Sequence, residues 1–154
     1  MKIALGSDHG GYILKGILIN YLKDKGHNII DVGCFGEESC DYPQYAFKVA
    51  NLVSKKRVHR GIIICKSGIG NSIVANKLKG ARAALCYNIR QAKSSREHND
   101  ANILVLGAMY VKSGLAKRMT NLWLNTKALG GRHARRVRQI AAIEKKCLNK
   151  EGRG

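Results

Sequence analysis

The stretch from Gly61 to Lys77, GIIICKSGIGNSIVANK, constrains the fold more than any other part of the chain. Its opening is a short apolar, β-branched run bounded by glycine, the pattern of a strand buried on both faces of a parallel sheet. A loop of glycine and serine follows, then Ile73, Val74 and Leu78 at helical spacing. Strand, loop and helix in that order aim backbone N–H groups and the positive end of a helix dipole into the loop. Gly68 and Gly70 let a ligand approach the backbone closely. Cys65 ends the strand at that mouth. A thiol beside a helix N-terminus is open to a lowered pKa and to thiolate chemistry. A small buried hydrophobe is the other reading of the same residue.

Better-known loops do not fit. A nucleoside-triphosphate loop needs glycine-lysine-serine or threonine at the helix start, and here Gly70-Asn71-Ser72 stands there. A cysteine-phosphatase loop would place arginine at Asn71. The dinucleotide fingerprint fails at Ile73, where its third glycine should be, and no acidic residue ends the next strand, Ala83-Ala84-Leu85. What survives is an anion cradle holding a thiol.

Periodicity along the rest of the chain alternates strand and helix five times. Lys2 to Leu5 reads as a strand, followed by the turn GSDHGG with Asp8 and His9 between glycines. A helical stripe runs from 13 to 22 and stops near Gly26. Asn28 to Val32 is a strand, Cys34 to Asp41 a loop, and Tyr42-Pro43 opens a helix, proline being tolerated in a first turn. After the central stretch come a strand at 83–85, a polar helix from Asn88 to His98, a strand from Ile103 to Leu106 and a helix through Val111 and Trp123. A basic helix from about 131 has Val137, Ile140, Ala141 and Ile143 as its apolar side, and the terminal EGRG reads as frayed. The expected fold is α/β: a three-layer α/β/α, Rossmann-like, doubly wound five-stranded parallel sheet in a single domain over 1–154. Ligands in such folds bind beyond the carboxyl ends of the strands. Asp8, His9 and Cys65 to Gly70 fall there.

Composition narrows the class. No run approaches the roughly 18 apolar residues of a membrane span, and the start MKIALGSDHGG enters a strand without a secretory signal. Cys34, Cys40, Cys65, Cys86 and Cys147 are an odd number with no C-x-x-C pair, which argues against a disulfide framework or a zinc site and for a reducing cytoplasm. The 28 Lys and Arg residues against 10 acidic ones give a formal charge of +18. Such a field attracts phosphorylated substrates, and nucleic acid nonspecifically. A solvated basic surface explains most of these charges equally well. No helix-turn-helix, RNP-type or aromatic-rich stretch points to a nucleic-acid partner. Histidines at His9, His98 and His133, each beside polar residues at an element end, suit proton transfer near neutral pH.

Five blocks in order, GSDHGG, DYPQYA, GIIICKSGIGNSIVANK, SREHNDANILVLG and GGRHARRV, resemble the type B ribose-5-phosphate isomerases, a family shared with galactose-6-phosphate and allose-6-phosphate isomerases. The likeness runs from about Lys2 to Lys146. It implies a cofactor-free aldose–ketose isomerisation of ribose 5-phosphate and ribulose 5-phosphate through a cis-enediolate. It also implies a homodimer with shared sites, or a dimer of such dimers. The alternatives are an isomerase of a hexose 6-phosphate and a non-catalytic sugar-phosphate-binding homologue. By the resemblance, Cys65 moves the proton between C1 and C2; one branch of the family uses a glutamate where this chain has Asn71. The loop Lys66, Ser67, Gly68, Ile69 and Gly70 would hold the enediolate with backbone N–H groups and the Ser67 hydroxyl. His98 would open the furanose ring, with Asn99 and Asp8 on substrate. His9, Arg132 and Arg136 would hold phosphate, the two arginines coming from the subunit opposite Cys65. Two residues depart from the pattern: Lys66 stands where relatives usually carry glycine, and Met109 where some carry a substrate-contacting arginine.

Overall fold

The computed structural model describes residues 1–151, with side chains through Cys147. Five parallel strands, β1 (Lys2–Ser7), β2 (Asn28–Asp31), β3 (Arg60–Cys65), β4 (Ala83–Leu85) and β5 (Ile103–Gly107), form one sheet in the order β2-β1-β3-β5-β4. Six helices join them: α1 (Tyr12–Asp24), α2 (Tyr42–Ser54), α3 (Ile69–Ala75), α4 (Ile89–Asn99), α5 (Ser113–Asn125) and α6 (Gly131–Glu151). The expected α/β architecture is therefore present. Of the EGRG end, residues 152–154 lie outside the described residues.

Alternation along each strand splits the core in two. Ile3, Leu5, Ile62, Ile64, Leu104 and Leu106 face one side and meet Leu14, Leu18 and Leu22 of α1 with Met119 and Trp123 of α5. Ala4, Ile63, Ile103 and Val105 face the other and meet Ala46, Val49, Ala50 and Val53 of α2. Strands buried on both faces need this continuous apolar character, which is why GIIIC carries no polar partner position. The chain winds outward from β1 to β2, returns to β3, then passes over β5 to β4 before coming back. The carboxyl ends of β1 and β3 thus lie side by side at the switch of direction, with Ser7 paired to Ile64, the place where an open α/β sheet leaves a crevice.

One element differs from the sequence expectation: the central helix is short, Ile69–Ala75, and Leu78 lies beyond it. α4 is the polar helix that the sequence predicts, shifted by one residue, and with little apolar surface it is held by its ends. The Asn88 side chain accepts from the Gln91 amide at 2.9 Å, while Gln91 Oε1 accepts from the Tyr87 amide at 2.8 Å. This reciprocal pair satisfies first-turn donors as a capping box does. At the other end Asp100 adopts a left-handed conformation with φ 46° and closes the helix. Among the described residues, no helix is long and apolar enough to cross a membrane.

Candidate active site

Cys65 sits at the carboxyl end of β3, 5% exposed, with its Sγ accepting the Gly68 amide at 2.9 Å. The loop that turns back to present this amide depends on Gly68, whose φ of +88° is left-handed and whose added Cβ would lie 2.4 Å from Leu85 Cδ1. From the other side Gly107 of β5 supports it, since a Cβ there would lie 2.4 Å from the Ser67 carbonyl oxygen. The Tyr87 hydroxyl donates to that same carbonyl at 3.2 Å, and Tyr87 packs edge-on against Tyr110. The Ser67 hydroxyl accepts the Ile69 amide at 3.3 Å and keeps its own proton to donate. Ile69 itself points its side chain to solvent.

The thiol does not have the lowered pKa expected beside a helix start. Burial pushes it up, the Gly68 amide pulls it down, Asp8 pushes it up again, and the Ser67 and Asn71 amides pull it down, with a net rise above the ordinary thiol range. Desolvation outweighs the dipole of a seven-residue helix. Cys86, deeper in the fold, is pushed up to about 11 by burial alone among its raising causes.

Asp8 is buried, and its Oδ1 accepts the Gly11 amide at 3.0 Å, fixing the tight turn His9–Gly11 that follows β1. Lys66 is exposed, and its Cβ is packed toward this turn, 3.1 Å from where a Cβ on Gly10 would stand. Its stem therefore flanks the Asp8–Gly11 side of the mouth. The His9 ring accepts the Cys40 amide on Nδ1 at 3.2 Å. That bond leaves the ring proton on Nε2, free to point outward. Asp8, His9 and the loop Lys66 to Gly70 are thus brought together around Cys65.

His98, Asn99, Arg132 and Arg136 are not. α4 runs antiparallel to the strands, so its C-terminal residues His98 and Asn99 lie at their amino ends, where the Arg82 guanidinium donates to the Asn99 and Asp100 carbonyls at 3.2 and 3.0 Å. The five residue steps of β3 that separate the two ends of the sheet amount to about 16 Å. Here a second cluster forms. The buried Arg96 clamps the helix end, bonding Asp100 at 2.7 Å and the Ala101 carbonyl at 2.6 Å, while Trp123 Nε1 donates to Ser95 at 3.2 Å. On that platform the His98 ring stacks on His133 of α6, centroids 4.3 Å apart and 9° from parallel. Burial, then His98, Arg132 and Arg136, hold the His133 pKa below its ordinary value. A neutral His133 can lie flat against His98 without charge repulsion. Arg132 and Arg136 are exposed one turn apart on the same helix.

Sequence reading missed several residues. The Tyr42 ring covers the loop, since a Cβ on Gly70 would lie 2.5 Å from it. Tyr87 and Gly107 support the Ser67 loop from distant positions. Asn71 is fully buried with both side-chain amide atoms unpartnered. Among the described residues no group of three or more His, Cys, Asp or Glu side chains is placed to hold a metal ion.

Known proteins show the same arrangement of chain. A model of the Ribose/Galactose Isomerase family matches residues 3–140. Ribose-5-phosphate isomerase B of Escherichia coli (strain K12) is 45% identical over 94% of this chain and 97% of its own length. The structure of Clostridium thermocellum ribose-5-phosphate isomerase B superposes with a TM-score of 0.93 at 52% identity, covering 95% of this chain and 99% of that one. Ribose-5-phosphate isomerase B from Mycoplasma genitalium with bound ribulose-5-phosphate superposes at 0.90 with 38% identity, covering 94% and 96%. With the blocks around Asp8, Cys65, His98 and Arg132 inside the matched span, the chain belongs to the ribose/galactose isomerase family.

Proposed function

We propose that the chain is an aldose–ketose isomerase interconverting D-ribose 5-phosphate and D-ribulose 5-phosphate. It acts as a homodimer whose sites each join the Cys65 end of one copy to the His98 end of another. The observation that carries this reading is the Cys65 thiol at the sheet's switch point, its sulfur on the Gly68 amide and Asp8 beside it. The E. coli relative's name and the ribulose-5-phosphate bound to the Mycoplasma relative support the substrate.

The steps follow from the groups present. His98 moves a proton between the anomeric hydroxyl and the ring oxygen, opening the furanose. The Cys65 thiolate removes the C2 proton; the electron pair forms the C1–C2 double bond and negative charge collects on the carbonyl oxygen. A proton passes from O2 to O1 of the resulting cis-enediolate, and C1 takes back the proton held by Cys65, which leaves the carbonyl at C2. The amides of Gly68 and Asn71 serve the thiol, and Ile69 serves Ser67. The Ser67 hydroxyl and the Gly70 amide are left for the enediolate oxygen. Asp8 and the partner copy's Asn99 orient hydroxyls. His9 donates from Nε2 to phosphate, together with Arg132 and Arg136 of the partner copy; an arginine fork matches two phosphate oxygens.

The test is catalytic efficiency on ribose 5-phosphate beside allose 6-phosphate and galactose 6-phosphate. The pentose phosphate should be turned over most efficiently. A hexose phosphate preferred to it would reassign the substrate, and turnover of none would make the protein a binding homologue.

A further inference from the structure

The mechanism leaves four cysteines unused, and two of them, Cys34 and Cys40, lie together beside His9. Cys34 follows β2 and is fixed hard against the end of β1. Its amide donates to the Ser7 carbonyl at 2.6 Å, and its own carbonyl accepts from the buried Lys15 Nζ at 2.7 Å. Cys40 stands at the far end of an exposed loop and is tethered to His9, amide to Nδ1 at 3.2 Å and Sγ to Nδ1 at 3.9 Å. Between them Phe35, Glu37, Glu38 and Ser39 face solvent. Cys34 Sγ donates to the Gly36 carbonyl at 3.2 Å, and Cys34 and Cys40 line, with Tyr45, one cavity of about 470 Å³. Cys65, Cys86 and Cys147 are separate free thiols.

We propose that Cys34 and Cys40 are a redox-active dithiol, oxidised by hydroperoxides to a disulfide that draws Cys40 off His9 and weakens phosphate binding. Cys40 is the attacking sulfur: it is only half-buried and lines the open cavity through which a peroxide reaches it. Its sulfur bonds to one peroxide oxygen as the O–O bond breaks, giving a sulfenic acid and one water from hydrogen peroxide, or an alcohol from an organic hydroperoxide. Cys34 then attacks that sulfur; the S–S bond forms, the S–O bond breaks and water leaves. Both thiol protons end in these products and the two electrons reduce the peroxide. Cys34 suits the resolving role because burial pushes its thiol up, keeping it protonated until a neighbour becomes electrophilic. Because Cys34 is anchored and the loop is not, closing the short ring moves Cys40. His9 then loses the amide that fixes its tautomer.

The loss of phosphate affinity rests on the role given to His9 above; the cross-link does not. The full chain is treated with stoichiometric hydrogen peroxide, then mapped by mass spectrometry and titrated with inorganic phosphate by calorimetry. A loss of two hydrogens confined to a Cys34–Cys40 cross-link is expected, reversed by dithiothreitol and absent in both Cys34→Ser and Cys40→Ser. Phosphate affinity should fall about three- to tenfold in the oxidised wild type, as for one weakened hydrogen bond to a charged group, and stay unchanged in peroxide-treated Cys34→Ser. No Cys34–Cys40 cross-link, or a cross-link that leaves phosphate affinity as in the reduced protein, would overturn the proposal. Neither readout uses turnover, so an inactive reduced enzyme would count against the isomerase reading alone.

Discussion

A single sulfur atom decides how the proposed site works, because Cys65, the proposed base, is also buried at the mouth. Removing it in Cys65→Ala should cut isomerisation by about 10²–10⁴-fold, the range for loss of a positioned base. The fold and inorganic-phosphate binding should survive, and near-normal turnover would place the base elsewhere. The raised thiol pKa has a sign that can be checked. The base works only as thiolate, so kcat/KM should still be climbing as pH rises past neutral into the upper thiol range. Asp8 contributes to that rise by its negative charge. Asp8→Asn should therefore move the ascending limb to lower pH, by up to about one unit, even while substrate affinity falls. An unmoved limb would show that Asp8 does not reach the thiol. Sequence spacing points to Cys65 and its loop and leaves open a lowered or a buried thiol; burial raises it. Spacing shows that a helix start is near; it does not show how deeply the sulfur is buried or that Asp8 faces it.

At the scale of elements, the site is a loop pinned between strands. GIIIC reads as a buried strand from sequence because burial on two faces demands an unbroken apolar run, and β4 falls at Ala83–Leu85 as periodicity predicts. Supports that act across the sheet are not legible that way. Gly107 lies 40 residues after Ser67, and only the parallel pairing of β3 with β5, Cys65 opposite Gly107, brings them together. Tyr42 lies 28 residues before Gly70 in the chain and registers in the sequence only as the start of a helix. Gly107→Ala should push the Ser67 carbonyl and the enediolate loop out of place. Overpacking of this kind costs about 1–3 kcal/mol. Thermal unfolding should show a moderate loss of stability and steady-state kinetics a larger loss in kcat than in KM. A kcat unchanged beside a lowered melting temperature would mean that the loop adapts without consequence.

For the whole molecule, topology separates what the proposed chemistry joins. Cys65, Asp8 and His9 lie at the carboxyl ends of the strands, while His98 stacks on His133 at the amino ends with Arg132 and Arg136 one turn apart on α6. The phosphate anchor gives one check. Arg136→Ala should weaken inorganic-phosphate binding roughly ten- to a hundredfold, as loss of a charge-assisted pair does. Arg135→Ala removes the same formal charge from the adjacent position and should change it little at physiological salt, where long-range fields are screened. Equal losses would reduce the arginines to a diffuse share of the +18 charge. The division itself is tested most directly by mixing two inactive variants, Cys65→Ala and His98→Ala, and allowing subunits to exchange. In a mixed dimer with shared sites, one site inherits both defects and the other inherits none. Statistical mixing of a two-fold dimer should then restore about a quarter of wild-type activity on cyclic ribose 5-phosphate. No recovery above the separate variants, with exchange confirmed by mass, would show that one chain completes its own site.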